Sequence, residues 1–132
     1  MRVDVSETQT RTVMIVDDDD GVRDSTCVLL ESSGYACRGF SSAADFLAKT
    51  EGRGGDCLLL DVQMPGTSGI ELLDHLRTRG IRTPAILMTA NVERVGERAA
   101  QVGALTVLRK PFAEETLLRW IAVACGQKPP SA

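Results

Sequence analysis

The chain has 132 residues, 43% of them apolar and 25% charged, and its 18 acidic against 15 basic side chains give a net charge of −3. That length fits one domain, which buries roughly two-thirds of its unfolded surface and needs no covalent staples. The slightly acidic balance argues against a general nucleic-acid surface. No apolar run is long enough for a membrane span and the N-terminus has no signal-peptide apolar stretch, so the expected location is cytoplasmic.

In chain order, Met1–Arg11 is polar and reads as a flexible N-terminal segment. A first strand is predicted over Thr12–Val16, and it runs straight into four aspartates, Asp17 to Asp20. A helical pattern follows over about Gly21–Ser33, with Val22, Thr26, Leu29, Leu30 and Ser33 on one side. Further strands are predicted at Tyr35–Phe40, Cys57–Leu60, Ala85–Thr89 and Leu105–Leu108. The third and fourth strands are nearly continuous in apolar residues, as strands covered on both faces are. Between them lie helical patterns at about Ala43–Thr50, Ile70–Arg79 and Val92–Val102, and a last one at about Glu114–Cys125. Gly34, Gly52, Gly80, Gly103 and Gly126 each fall just past a helix, where a left-handed cap favours glycine. Ser42 and Asn91 are positioned as N-caps.

Regular strand–helix alternation predicts an α/β fold with a parallel sheet. The domain is expected over 12–126, with 127–132 as a tail or the start of a linker. The cysteines Cys27, Cys37, Cys57 and Cys125 stand far apart and lack metal-ligand spacing, so they read as small buried hydrophobes. His75, the one histidine, reads as a solvated helix residue. Trp120 borders the apolar stripe of the last helix and is expected to be partly exposed.

In open parallel sheets, ligands bind beyond the carboxyl ends of the strands. Asp17 and Asp18 follow the first strand, Asp61 the third, Thr89 ends the fourth and Lys110 follows the fifth. The doubly wound order 2-1-3-4-5 makes those four strands neighbours. Carboxylates gathered in one pocket repel each other unless a cation sits among them. A hard divalent ion, most simply Mg²⁺, suits oxygen ligands and shares a substrate phosphate. Thr89 offers a hydroxyl and Lys110 a positive charge to phosphoryl oxygens. A carboxylate can be the nucleophile, giving an aspartyl-phosphate, and Asp61 is placed for it. Pro65 stiffens the following loop, and Gly66 and Gly69 are expected to take unusual backbone angles there. Lys110–Pro111 is a candidate cis bond.

The segments "IVDDDDGVRDS", "LLLDVQMPGTSGIELL", "ILMTA" and "VLRKPF" together resemble the receiver domain of two-component response regulators over about Thr12 to Gly126. The resemblance implies a five-stranded flavodoxin-like fold and transfer of phosphate from the phosphohistidine of a sensor histidine kinase to Asp61. It implies Mg²⁺ held by Asp18, Asp61 and the backbone carbonyl of Gln63, with Asp17 assisting. Thr89 matches the switch hydroxyl and Lys110 the site lysine. It implies an output face of the fourth helix, fifth strand and fifth helix, which can serve a homodimer. The "VRDS" after the acids and the "KPF" resemble the group whose effector is a helix-turn-helix transcription domain; the receiver itself is then expected to touch neither nucleic acid nor membrane. Such a domain takes up and loses phosphate on its own aspartate rather than turning over a substrate. One departure concerns Val107, where many receivers carry Tyr or Phe. Switching is therefore expected to run through Thr89, the Ala90–Asn91 loop and the fourth helix.

Other readings use the same residues. "DDDGV" also fits the start of haloacid-dehalogenase-type phosphatases, with Asp18 as nucleophile and Asp20 as general acid. That reading leaves Asp61 and its Met-Pro-Gly loop without a task, and no acidic strand end follows Lys110. A receiver-shaped module that binds partners without phosphorylation would not need the full set of site residues. Asp19 and Asp20 read as cap residues at a helix start, where negative charge is favoured.

Overall fold

The computed structural model describes residues 10–127. The first strand, β1 (Thr12–Val16), leads to α1 (Asp20–Ser32), β2 (Ala36–Phe40) and α2 (Ala43–Thr50). Then come β3 (Cys57–Asp61), α3 (Gly69–Thr78), β4 (Ala85–Thr89) and α4 (Val92–Gln101), and the chain closes with β5 (Thr106–Arg109) and α5 (Glu114–Ala124). All five strands are parallel, in the order β2-β1-β3-β4-β5. The expected doubly wound flavodoxin-like topology is the one observed, and element ends agree with expectation to about one residue.

Side-chain alternation splits the core into two layers. Val13 and Ile15 of β1 join Leu59, Ile86 and Met88 under α1 and α5, where Leu30, Leu117 and Ile121 close the layer. Met14 and Val16 face the other way, with Leu58, Leu60 and Leu87, under α2, α3 and α4. There Phe46 is fully buried and meets Phe40 edge to face, with ring centroids 5.3 Å apart. Strands β3 and β4 are buried at every position, as their continuous apolar runs require, whereas the edge strands β2 and β5 are partly exposed.

Local chemistry sets the element ends. Asp19 caps α1, Ser42 caps α2 and Asn91 caps α4, each accepting a helix N–H through its side chain. Ser68 and Glu71 form a reciprocal capping box at α3. The five expected glycines all hold positive φ just past their helices. Trp120 is half-buried against the α1/α5 layer and His75 is exposed, as expected.

Three expectations are corrected or refined. Cys27 and Cys37 are not separate hydrophobes: a disulfide joins α1 to β2, with Cα atoms 5.4 Å apart, well inside the range such a bond spans. Packing of α1 on its neighbouring strand brings the two together, a proximity that linear spacing hides. Cys57 and Cys125 are buried, as expected. Gly69 has no positive φ; glycine is needed there because a Cβ would run into the Asp61 carbonyl oxygen. Gly66 does hold a positive φ, of 80°. Gln127 belongs to the folded unit, since Tyr35 Oη donates to its Oε1 across 2.8 Å and its own N–H donates to the Ala122 carbonyl. The segments 1–9 and 128–132 lie outside the described residues.

Candidate functional site

In this strand order the chain leaves β1 toward β2 on one side and reaches β3 on the other, so a crevice opens at the carboxyl ends of β1 and β3. Asp17 extends β1 by one residue, its N–H donating to the Phe40 carbonyl. Asp61 is the last residue of β3 and stands opposite Met88 of β4. Thr89 ends β4, and its carbonyl accepts from the N–H of Lys110, just past β5. The Lys110–Pro111 bond is cis. The sheet thus delivers Asp17, Asp61, Thr89 and Lys110 to one rim.

The four consecutive aspartates divide the work. Asp17 is fully buried. Its Oδ1 accepts the N–H of Asp19 at 2.9 Å, turning the chain, and its Oδ2 accepts from Lys110 Nζ at 2.9 Å. Asp19 Oδ1 accepts the N–H of Val22 and starts α1. Asp20 pairs with Arg23 on the exposed side. Asp18 is exposed and, among the described residues, takes part in no side-chain hydrogen bond or ion pair.

Asp61 is 4% exposed. Its Oδ1 accepts the Gln63 N–H at 3.3 Å, and Lys110 Nζ lies 3.4 Å from its Oδ2. Burial and the nearby Asp17 charge push the Asp61 carboxyl up to about 6, against the opposing pull of Lys110 and the Gln63 N–H. Burial alone would draw the Lys110 ammonium down; its hydrogen bond to Asp17 and the charges of Asp61 and Asp17 outweigh that and hold it above the usual lysine value. Thr89 is fully buried; its hydroxyl accepts the Asn91 N–H at 3.1 Å and donates to Gln63 Oε1 at 3.3 Å.

The carboxylate oxygens of Asp17, Asp18 and Asp61 all lie within 4.8 Å of one another. Among the described residues, three carboxylates against the one Lys110 ammonium leave two formal negative charges without a partner. Opposite ligands of Mg²⁺ stand about 4.2 Å apart, so these oxygens need only a small contraction to share such an ion. The donor set is all oxygen and partly open to water, as a hard divalent cation requires. Asp20, the other half of the phosphatase reading, is not one of the three and is held by Arg23.

Asp17, Asp18, Asp61 and Lys110 therefore meet, and Thr89 stands at the same rim, its hydroxyl bonded to the Gln63 side chain. Two participants were not foreseen. The Gln63 side chain engages Thr89, a contact between β3 and β4 loops that no spacing signals. Arg23 donates to the Asp17 carbonyl at 2.8 Å, and only its i, i+3 spacing from Asp20 was visible in the sequence.

A doubly wound sheet with an acidic pocket, a hydroxyl and a lysine at its carboxyl rim defines a flavodoxin-like α/β architecture. The response regulator receiver domain model matches residues 13–122. The transcriptional regulatory protein FixJ of Azorhizobium caulinodans is 39% identical over 116 residues, covering 87% of this chain and 55% of that protein. The transcriptional regulatory protein TdiR of Thauera aromatica is 39% identical over 108 residues, covering 81% of this chain and 48% of that protein. Among solved structures, FixJ-N superposes with a TM-score of 0.82 at 33% identity, covering 89% of this chain and 95% of that one. A response regulator receiver protein from Burkholderia phymatum gives a TM-score of 0.80 at 36% identity, over 92% of this chain and 100% of that one. The chain belongs to the response regulator receiver domain family. It spans about half the length of the curated relatives it matches.

Proposed function

We propose that Asp61 accepts a phosphoryl group from the phosphohistidine of a sensor histidine kinase in a Mg²⁺-dependent reaction, and that this switches the face formed by α4, β5 and α5. The observation that carries the reading is the reach of Lys110 Nζ to both Asp17 and Asp61, 2.9 and 3.4 Å away, beside a third carboxylate on Asp18. Asp17, Asp18, Asp61 and the Gln63 backbone carbonyl would hold the ion. When bound it supplies positive charge to the transferring phosphoryl oxygens.

The chain's own groups do the rest. An Asp61 carboxylate oxygen attacks phosphorus, an O–P bond forms, the P–N bond to the imidazole breaks and the histidine leaves as donor product. Lys110 stays near Asp61 and takes a phosphoryl oxygen. Thr89 has to release Gln63 Oε1 to donate to another, and that exchange links the pocket to the Ala90–Asn91 loop and α4. Glu93 of α4 is paired with Arg109 of β5 across the surface of the proposed output face, which is also where we place a homodimer contact.

The names of the relatives support transcription regulation as the output; in this reading the receiver unit itself makes no nucleic-acid contact. We place the domain in the cytoplasm with its kinase partner, where the Cys27–Cys37 bond would be an exception to the usual reduced state of thiols; no helix among the described residues is long and apolar enough to cross a membrane.

The test is labelling with a small phosphodonor and Mg²⁺. Acid-labile, base-labile acyl phosphate should form, and Asp61→Asn should abolish it. Turnover of phosphate esters that is lost in Asp18→Asn and kept in Asp61→Asn would instead establish the phosphatase reading.

A further inference from the structure

We propose that Arg23 is a positioning residue for the metal pocket: its guanidinium latches the β1–α1 turn so that Asp17 and Asp18 present their carboxylates together. The inference rests on the phosphoryl-accepting reading of that pocket but concerns a residue that touches neither the ion nor Asp61.

Arg23 closes the first turn of α1, and its stem crosses the edge strand at Gly39. A Cβ at Gly39 would sit 2.9 Å from both Cγ and Cδ of Arg23, so the absent side chain is what lets the arginine lie flat on β2. Its head is then shared between two acceptors on the acidic turn. Nη1 donates to the Asp17 carbonyl at 2.8 Å, and Nη2 pairs with the Asp20 carboxylate. A fork with two fixed donors suits this bridging; a single ammonium does not. One helical turn further, Cys27 bonds to Cys37, two residues before Gly39 on β2. Four residues on the helix match two on the strand, so α1 is registered on β2 by two successive rungs.

The consequence falls on the pocket. The Asp17 carboxylate is pinned by Lys110 and by the Asp19 N–H, but its carbonyl, the hinge before Asp18, is held by Arg23. Asp18 has no side-chain partner among the described residues, so its place is set by the backbone on either side. Removing Arg23 frees that turn. Residues that orient metal ligands without touching the metal typically change affinity by about 10- to 100-fold when lost.

The test is calorimetric Mg²⁺ titration of the unphosphorylated protein, with thermal unfolding recorded for each variant. Arg23→Ala is expected to weaken Mg²⁺ binding about tenfold. Arg23→Lys, which keeps the charge and loses the fork, should recover only a minor part. Gly39→Ala, which leaves Arg23 in the chain but displaces its stem, should weaken binding in the same direction. Arg23→Ala and Gly39→Ala that melt earlier yet bind Mg²⁺ as the parent does would overturn the proposal, as would full rescue by Arg23→Lys, since charge alone would then suffice. A parent protein that binds Mg²⁺ with this Arg23 dependence but takes no phosphate on Asp61 would overturn the phosphoryl-accepting function and uphold the role of Arg23.

Discussion

The Thr89 hydroxyl donates to Gln63 Oε1 across 3.3 Å, so the group expected to bind phosphate is already engaged with a neighbouring loop. A net hydrogen bond of this kind is worth about 0.5–1.5 kcal/mol. That amount opposes the engagement of Thr89 with a phosphoryl group. Gln63→Ala removes the competing acceptor and leaves the backbone carbonyl in place. At a fixed, sub-saturating phosphodonor concentration, the phosphorylated fraction relative to the unphosphorylated one should rise about two- to tenfold, the same energy expressed as a ratio. Intact-protein mass spectrometry measures it; a fall in the ratio would mean that the amide assists the phosphorylated state instead.

Asp61 makes the metal-free protein pH-sensitive. Its folded carboxyl titrates at about 6, above the ordinary 3.8, so between those values the folded state binds more protons than the unfolded one. Stability without metal should therefore fall as pH rises through that window and stay lowered above it. Asp61→Asn removes the buried charge while Lys110 keeps Asp17. In chelator at pH 7.5 the variant should be more stable than the parent by about 1–2 kcal/mol, and the gain should vanish below pH 4. Urea unfolding at the two pH values decides it. Added Mg²⁺ should stabilise the parent far more than the variant, reversing the order.

The disulfide between Cys27 and Cys37 spans ten residues of sequence. Closing a loop of that size restricts the unfolded chain by about 2.5–3 kcal/mol in the chain-entropy picture. Cys27→Ser should cost about that much under non-reducing conditions and little in excess dithiothreitol. Equal stability of parent and variant in both buffers would show that the bond does not form in solution. Mass spectrometry after alkylation, with and without reduction, counts the blocked thiols directly.

Different parts of the molecule were legible to different degrees. The burial of β3 and β4 could be read because a strand covered on both faces has no polar positions, so "CLLL" and "AILMT" carry their own signal. The site could be read because each of its groups follows a strand, and the strand order then forces them together: Asp17, Asp61, Thr89 and Lys110 needed no knowledge of side-chain contacts. What escaped was lateral packing. Cys27 and Cys37 meet because α1 lies on β2, and nothing in the spacing reports the angle at which it does so. The same holds for Arg23 on Gly39 and for Gln63 on Thr89. At Gly69 the sequence suggests a backbone-angle residue because glycine frees φ, whereas its actual constraint is the Asp61 carbonyl against it. Composition does not distinguish those two reasons.

In the proposed switch, Val107 restricts how a phosphorylation signal would leave the pocket. It is half-buried on β5, packed against the α2/α3/α4 layer, and pairs in register with Leu87 of β4. A valine has a single side-chain torsion and one dominant rotamer in a crowded setting, so no ring can swing inward when Thr89 shifts. The Ala90–Asn91 loop is the remaining connection. It begins at Thr89, whose hydroxyl accepts the Asn91 N–H at 3.1 Å, and Asn91 caps α4 through the Arg94 N–H. Pulling Thr89 toward a phosphoryl group disturbs that cap, whose loss typically costs a helix about 1 kcal/mol. Structures with and without a beryllofluoride phosphate mimic should show the displacement concentrated at Ala90, Asn91 and the first turn of α4, with Val107 keeping its rotamer. A large movement of Val107, or an α4 start that stays fixed while β5 moves, would rule out this route.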